Sequence, residues 1–227
     1  MVLGAVAQVE KQTQRAELTH QEARRHVIAL AWPAVVEQLL VTLFGMVDMM
    51  MVGAVGPQAI AAIGLTNQPM FLALAAFQAL NVGTTALVAR FVGAGDISEA
   101  NAAIRQSLLV VTALGGIATA LVYIFAEPMV VFMGAKDEAL GYAVTYLRVI
   151  SLGLLPQTIG MCVTAVLRGA GDTKTPMRFN IIANVFNVLG NFLLISGRFG
   201  FPAWGVFGAG FATSFSRLIG CVLALYV

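Results

Sequence analysis

Two carboxylates and a row of amides are the residues of this chain best equipped to bind and release an ion. Glu37 and Asp48 are the acids that fall well inside long apolar stretches, and Asn180, Asn184, Asn187 and Asn191 follow one another at spacings of four, three and four. Charge in lipid is expensive, about 2.5–3.5 kcal/mol for an aspartate at the centre of a helix, so an acid there calls for a function. Glu37 and Asp48 are eleven residues apart. On a helix that spacing returns the second acid to within roughly 20° of the first, about 16 Å further along the axis. One stripe of the helix must therefore face something polar. Asp48 is the expected coupling group, exchanging a proton or sodium ion with the outer side; the competing reading is a solvated cap at the outer interface. Glu37 is either part of a gate or a snorkelling, amide-paired helix contact.

The four asparagines share one helical face. Amides in hydrocarbon need partners, so the stripe serves interhelical hydrogen bonding or lines a wet cavity. Packing is expected for Asn180 and Asn184 near the inner end, and a cavity role for Asn187 and Asn191. Further buried polar positions are Asn67, Gln68, Asn81, Gln157 beside Pro156, and Thr213. Among these, Asn67, Gln68, Gln157 and Asn184 join Pro33 and Glu37 as candidates for lining a substrate cavity or gating it. Pro33 removes a backbone donor and frees the carbonyl of Ala29, so its helix has a place to bend, statically or during a cycle. Arg148 and Arg217 are read as near enough to span ends to snorkel and receive no role.

The elements that must position these groups are membrane helices. Of 227 residues, 59% are hydrophobic and 11% charged, against about a quarter charged in a soluble domain. Windows of about 19 residues give apolar stretches near 27–54, 58–89, 103–126, 139–167, 178–196 and 205–227. The expected fold is an all-α integral membrane bundle of six transmembrane helices at 27–227, preceded by a polar cytoplasmic segment, 1–26, in which Thr19 and Glu22 have capping-box spacing. Lys11, Arg15, Arg24 and Arg25 precede the first span, Arg90 and Arg105 flank the second connection, and Arg168, Lys174 and Arg178 flank the fourth. The other connections hold Lys136 and Arg198 alone. The positive-inside rule then places the N-terminus in the cytoplasm.

Several function classes fall away. The net charge of +2, without a basic run interleaved with aromatics, offers nothing to a nucleic acid. Cys162 and Cys221 sit in apolar runs without metal-ligand or disulfide spacing, and no secretory signal precedes the first span. The tetrapeptide Gly-Ala-Gly-Asp occurs at 93–96 and 169–172, where glycine can end one helix and aspartate cap the next. The second copy, GAGDTKT, is not a phosphate loop, because the glycine before the Lys-Thr pair and the preceding strand are both missing. His20 and His26 are the only histidines and lie at the polar margin, so no enzyme site, metal or cofactor is expected.

Taken together, Pro33 with Asp48 in FGMVDMMMVG, AAIGL, NVGTTALVARFVGAGD, LRGAGDTKTPM, and NVFNVLGNFLLI followed by GVFGAGFATS resemble the N-terminal lobe of multidrug and toxic compound extrusion transporters. The resemblance runs from about residue 27 to the end. It implies one six-helix lobe of a twelve-helix, pseudo-twofold transporter in the inner membrane, exporting small organic cations in exchange for protons or sodium. It implies as partners the lipid bilayer and a second lobe or a second copy of this chain. It also implies a cation site at Asp48, Asn187, position 191, Ala209 and Thr213, with sodium held by Asp48, Asn187 and Thr213. Here Asn191 stands where the family pattern has an acid, which removes a negative charge and favours proton carriage by Asp48. A lipid-linked saccharide flippase of the same superfamily, or a half that does not transport, are the alternative readings.

Overall fold

The computed structural model describes residues 20–135, 137–195, 197–200 and 202–226, so the expected capping box at Thr19 lies outside the described residues. The chain folds into helices α1 (His20–Gly53), α2 (Pro57–Gly93), α3 (Ile97–Ile124), α4 (Ala126–Phe132), α5 (Asp137–Leu152), α6 (Leu154–Gly169), α7 (Lys174–Leu194) and α8 (Gly205–Tyr226), with a short 3-10 turn at Arg198–Gly200. Five of these are each long and apolar enough to cross a membrane, and α5 with α6 makes a sixth span. Their lipid-facing surfaces remain apolar: Leu39, Phe71, Leu72 and Leu109 are all exposed. The molecule is a multi-spanning, all-α membrane bundle.

The fourth span is not the single helix that its continuous hydropathy predicts, because α5 and α6 meet at 44°. Proline at 156 has no N–H to give the carbonyl of Leu152, so the helical ladder loses a rung there. Gly153 sits at the break, where its N–H donates to Ile150 O at 3.1 Å. A Cβ on Gly153 would fall 2.8 Å from the backbone of Ser214, so the missing side chain lets α8 approach the bend. The Ser214 hydroxyl closes that contact by donating to Val149 O at 2.7 Å.

The two Gly-Ala-Gly-Asp copies build the same turn. Gly95 and Gly171 take left-handed φ values of 74° and 87°, which cost glycine nothing. Asp96 N–H reaches back to Phe91 O and Asp172 N–H to Leu167 O, at 3.0 and 2.8 Å. The aspartates then cap the following helices, Asp96 accepting from Glu99 N–H and Asp172 from the N–H groups of Lys174 and Thr175. Hydrogen bonds from the Thr175 hydroxyl and amide hold the Asp172 carboxyl below its ordinary range. Its contribution is therefore complete at neutral pH and is lost only as pH falls through that lowered value.

Tight seams between helices come from small residues, as expected where lipid removes the hydrophobic drive for association. The α7–α8 seam is the most extensive. A Cβ on Gly208 would stand 2.7 Å from Leu194 O, and one on Gly190 would stand 2.9 Å from the methyl of Ala212. Because the obstacle at Gly208 is backbone, Gly208→Val is expected to destabilise the bundle by about 1–3 kcal/mol. An SDS-unfolding titration with an unchanged midpoint would contradict this.

Candidate functional site

Helix α1 packs mainly on α7, and two polar clasps set the register. At the middle of α1, Glu37 Oε1 accepts from Asn180 Nδ2 at 2.8 Å while Oε2 meets Arg168 Nη2 of α6 at 2.8 Å. Further along, Asp48 Oδ1 accepts from Asn191 Nδ2 at 2.5 Å. Each acid is separated from its asparagine by the same 143 residues. Equal offsets mean that α1 and α7 run parallel in register, with about three helical turns between the clasps. The polar stripe of α1 therefore faces the amide stripe of α7. Helix α1 continues unbroken through the buried Pro33.

The acid near the far clasp is surrounded by amide donors. With the Asn187 amide turned so that its nitrogen faces Asp48, it donates to both carboxylate oxygens at 2.9 Å and its oxygen accepts from the Thr213 hydroxyl at 3.1 Å. Asn191 is 1% exposed, and its Oδ1 has no partner among the described residues. Asp48, Asn187, Asn191 and Thr213 thus form one hydrogen-bonded cluster from α1, α7 and α8. Ala209 borders it through its carbonyl, which stands 2.9 Å from Thr213 Oγ1 and competes with Asn187 for the single hydroxyl proton of Thr213. Asn191 directs its nitrogen, not its oxygen, at the carboxylate, so the cluster as it stands is a set of donors around an anion. Among the described residues no group of three or more His, Cys, Asp or Glu side chains could hold a metal ion.

Between the clasps lies a cavity of about 840 Å³ walled by α1, α2, α6, α7 and α8. Glu37, Asp48, Gln157, Asn184, Asn187 and Thr213 line it; Asn191 and Ala209 stand behind the lining. Asn184 also donates to Asn180 O on its own helix at 2.8 Å. Asn67 and Gln68 do not belong to the cavity. Both are exposed, and α2 reaches the cavity only from Gln78 onward, about 15 Å further along the helix.

Arg217 also departs from the sequence expectation. It lines the cavity instead of snorkelling, because it stands well inside α8 with its side chain packed beside Gly153. The missed signal was periodicity: Arg217 lies one turn after Thr213, on the same face. Arg148, by contrast, is exposed and stands 4.0 Å from Glu127. Asn81 is 6% exposed, lines the cavity, and leaves both amide atoms without partners among the described residues.

Comparison with known proteins gives a family to this geometry. The MatE family model matches residues 33–193. The chain is 35% identical over 206 residues to the probable multidrug resistance protein NorM of Thermotoga maritima, covering 91% of this chain and 44% of the relative. It is 33% identical over 192 residues to the multidrug resistance protein PmpM of Pseudomonas aeruginosa, covering 83% and 40%. The outward-facing structure of a multidrug resistance MATE transporter of the MOP superfamily superposes with a TM-score of 0.80 at 29% identity, over 88% of this chain and 44% of that one. The chain thus spans less than half the length of the relatives it matches, about one lobe of their fold. A six-span bundle with that sequence and that superposition belongs to the multidrug and toxic compound extrusion family of secondary transporters.

Proposed function

We propose that this chain is the N-terminal lobe of a proton-driven antiporter that exports amphipathic organic molecules carrying a positive charge, with Asp48 as the coupling acid. The observation that carries the reading is the placement of Asp48. It lies on the cavity wall and on the helix most loosely attached to the bundle, held there by amides of α7. Protonation would turn an acceptor into a donor facing two amide nitrogens. Only one oxygen changes in this way, so the amides lose one acceptor and the charge they faced, and the far clasp between α1 and α7 would loosen while the Glu37 clasp keeps its hold. Helix α1 packs mainly on α7, so with that clasp loosened the stretch beyond Glu37 could shift and change the cavity. The basic residues Arg24, Arg25, Arg90, Arg105, Arg168, Lys174 and Arg178 support an orientation with the N-terminus in the cytoplasm.

The test is reconstitution of a two-lobe transporter carrying this lobe, followed by ethidium movement under an imposed pH gradient or an imposed sodium gradient. Movement under neither gradient would remove the antiporter reading. Movement under sodium alone would remove the proton.

Asn191 supplies a finer check on the coupling ion. Asn191→Asp restores a carboxylate beside Asp48, and two acids around one cation bind it more tightly than one. Sodium affinity measured by calorimetry is expected to rise at least about tenfold, or about 1.4 kcal/mol. Equal affinities in the two proteins would show that position 191 does not set the ion. The flippase alternative calls for several cations on the cavity wall, whereas the lining holds two, Arg168 and Arg217, of which Arg168 is already paired with Glu37.

A further inference from the structure

The end of the bundle beyond the Asp48 clasp carries a second, smaller cavity. It is a crevice of about 410 Å³ lined by Ala54 and Val55 just after α1, Ile195 just after α7, and Ala203 and Gly205 at the start of α8. None of these five residues is charged. A Cβ on Gly205 would lie 3.6 Å from Val55 Cγ1, so two of the walls stand close together. The helices that supply the cluster around Asp48 are the same three, and the crevice lies further along them.

Between crevice and cluster, each of these helices places one buried apolar side chain. Val52 follows Asp48 by four residues, Ile195 follows Asn191 by four, and Val206 precedes Ala209 by three. Each spacing is close to one helical turn, so the apolar layer is about 5 Å thick. Val52, Ile195 and Val206 are 3%, 4% and 2% exposed and belong to one packed cluster. An apolar constriction of this kind blocks ions while it is dewetted and passes them once water enters.

Behind the layer stands an acceptor with nothing to accept. Asn191 is almost completely buried, and its nitrogen is spent on Asp48, but its Oδ1 has no partner among the described residues. A water that crosses the layer can bond this oxygen, and it then stands beside the Asp48 carboxyl. The other ionisable groups that interact with Asp48, Arg217 of α8 and Tyr146 of α5, do not line the crevice.

We infer that the coupling proton reaches Asp48 from the outer side through this crevice, with Val52, Ile195 and Val206 as the gate it crosses and Asn191 Oδ1 as the water site behind that gate. The proton passes from hydronium in the crevice, by way of that water, to a carboxylate oxygen of Asp48. This rests on the reading of Asp48 as the coupling acid, and it gives that acid an entrance separate from the substrate cavity. Val52 rides on α1, so loosening the far clasp moves one side of the gate.

A two-lobe transporter carrying this lobe, in liposomes with trapped pyranine, reports proton movement with and without an ethidium gradient. Ala203→Trp fills the crevice from an exposed position, and ethidium-driven proton movement is expected to slow at least about tenfold while ethidium affinity stays within about twofold of wild type. Ala54→Trp, exposed on the α1 side, is expected to give the same result and serves where the first variant folds poorly. Ile195→Ser wets the gate, and a proton leak without ethidium is expected at about ten times the wild-type rate. Adding Asp48→Asn should abolish that leak. Wild-type rates in both crevice-filling variants, or a leak that survives Asp48→Asn, would overturn the entrance and leave Asp48 as the coupling acid. A slowing matched by an equal loss of ethidium affinity would place the crevice on the substrate path and overturn the separate entrance. If the wild type moves no protons with ethidium, the coupling reading fails and takes the inference with it.

Discussion

Asp48→Asn is expected to cut ion-driven efflux by about 100-fold in a two-lobe transporter carrying this lobe, while leaving the amount of protein in the membrane unchanged. Asparagine has the shape of aspartate, so the packing of α1 on α7 survives apart from one reoriented amide. The lost property is the ability to gain and lose charge. Asp48 accepts from Asn187 and Asn191 together, and with asparagine at 48 the far clasp becomes an amide network whose strength no longer depends on the ion gradient. A loss of this size corresponds to the upper part of the usual 1–3 kcal/mol range for coupling between two sites. Ethidium efflux from energised cells, with the membrane content checked by immunoblot, measures it. Efflux within twofold of wild type would take Asp48 out of the mechanism, and with it the role assigned to the far clasp.

Arg168→Ala is expected to be the most destabilising of the single polar changes in this lobe. Glu37 is 9% exposed and makes two contacts, Arg168 at 2.8 Å and Asn180 at 2.8 Å. Removing the guanidinium leaves a carboxylate with one neutral donor in a low-dielectric setting. Breaking a buried pair from one side costs about 3–5 kcal/mol. The Arg168 side chain is 35% exposed, so solvent screening places the expected cost at about 3 kcal/mol or below. The double variant Glu37→Gln with Arg168→Ala should recover much of the loss, because it removes the stranded charge. SDS-unfolding titrations of the three variants read the cycle. Strictly additive losses would show that the pair acts as two separate surface groups.

The two predictions separate the clasps by function. The Glu37 clasp ties α1 to both α6 and α7 through a charged pair, whereas the Asp48 clasp ties it to α7 through amides alone. The stronger clasp works as an anchor and the weaker as the part that responds to a proton. Pro33, next to the anchor and buried, marks where the backbone ladder is already short of one hydrogen bond.

Six spans, their approximate limits, the helix-ending turns at Gly95 and Gly171, and the polar stripes of α1 and α7 were all legible in the sequence, because each follows from local rules: hydropathy over a bilayer thickness, glycine at positive φ, and 3.6-residue periodicity. Which stripe meets which was not. A parallel α1–α7 pairing at a constant offset depends on two helices far apart in the chain, and nothing within either one encodes the other's register. For the same reason Asn67 and Gln68, polar and inside an apolar stretch, could not be told from Asn81 until α2 was placed against its neighbours and only its latter part met the cavity. Arg217 shows the point most plainly. By itself an arginine in an apolar run reads as a snorkelling end, but the bend made by Pro156 and the bare backbone of Gly153 bring the fourth span against α8, and the folded bundle puts the guanidinium beside a cavity. Local chemistry chose the groups, and long-range packing decided which of them share a space.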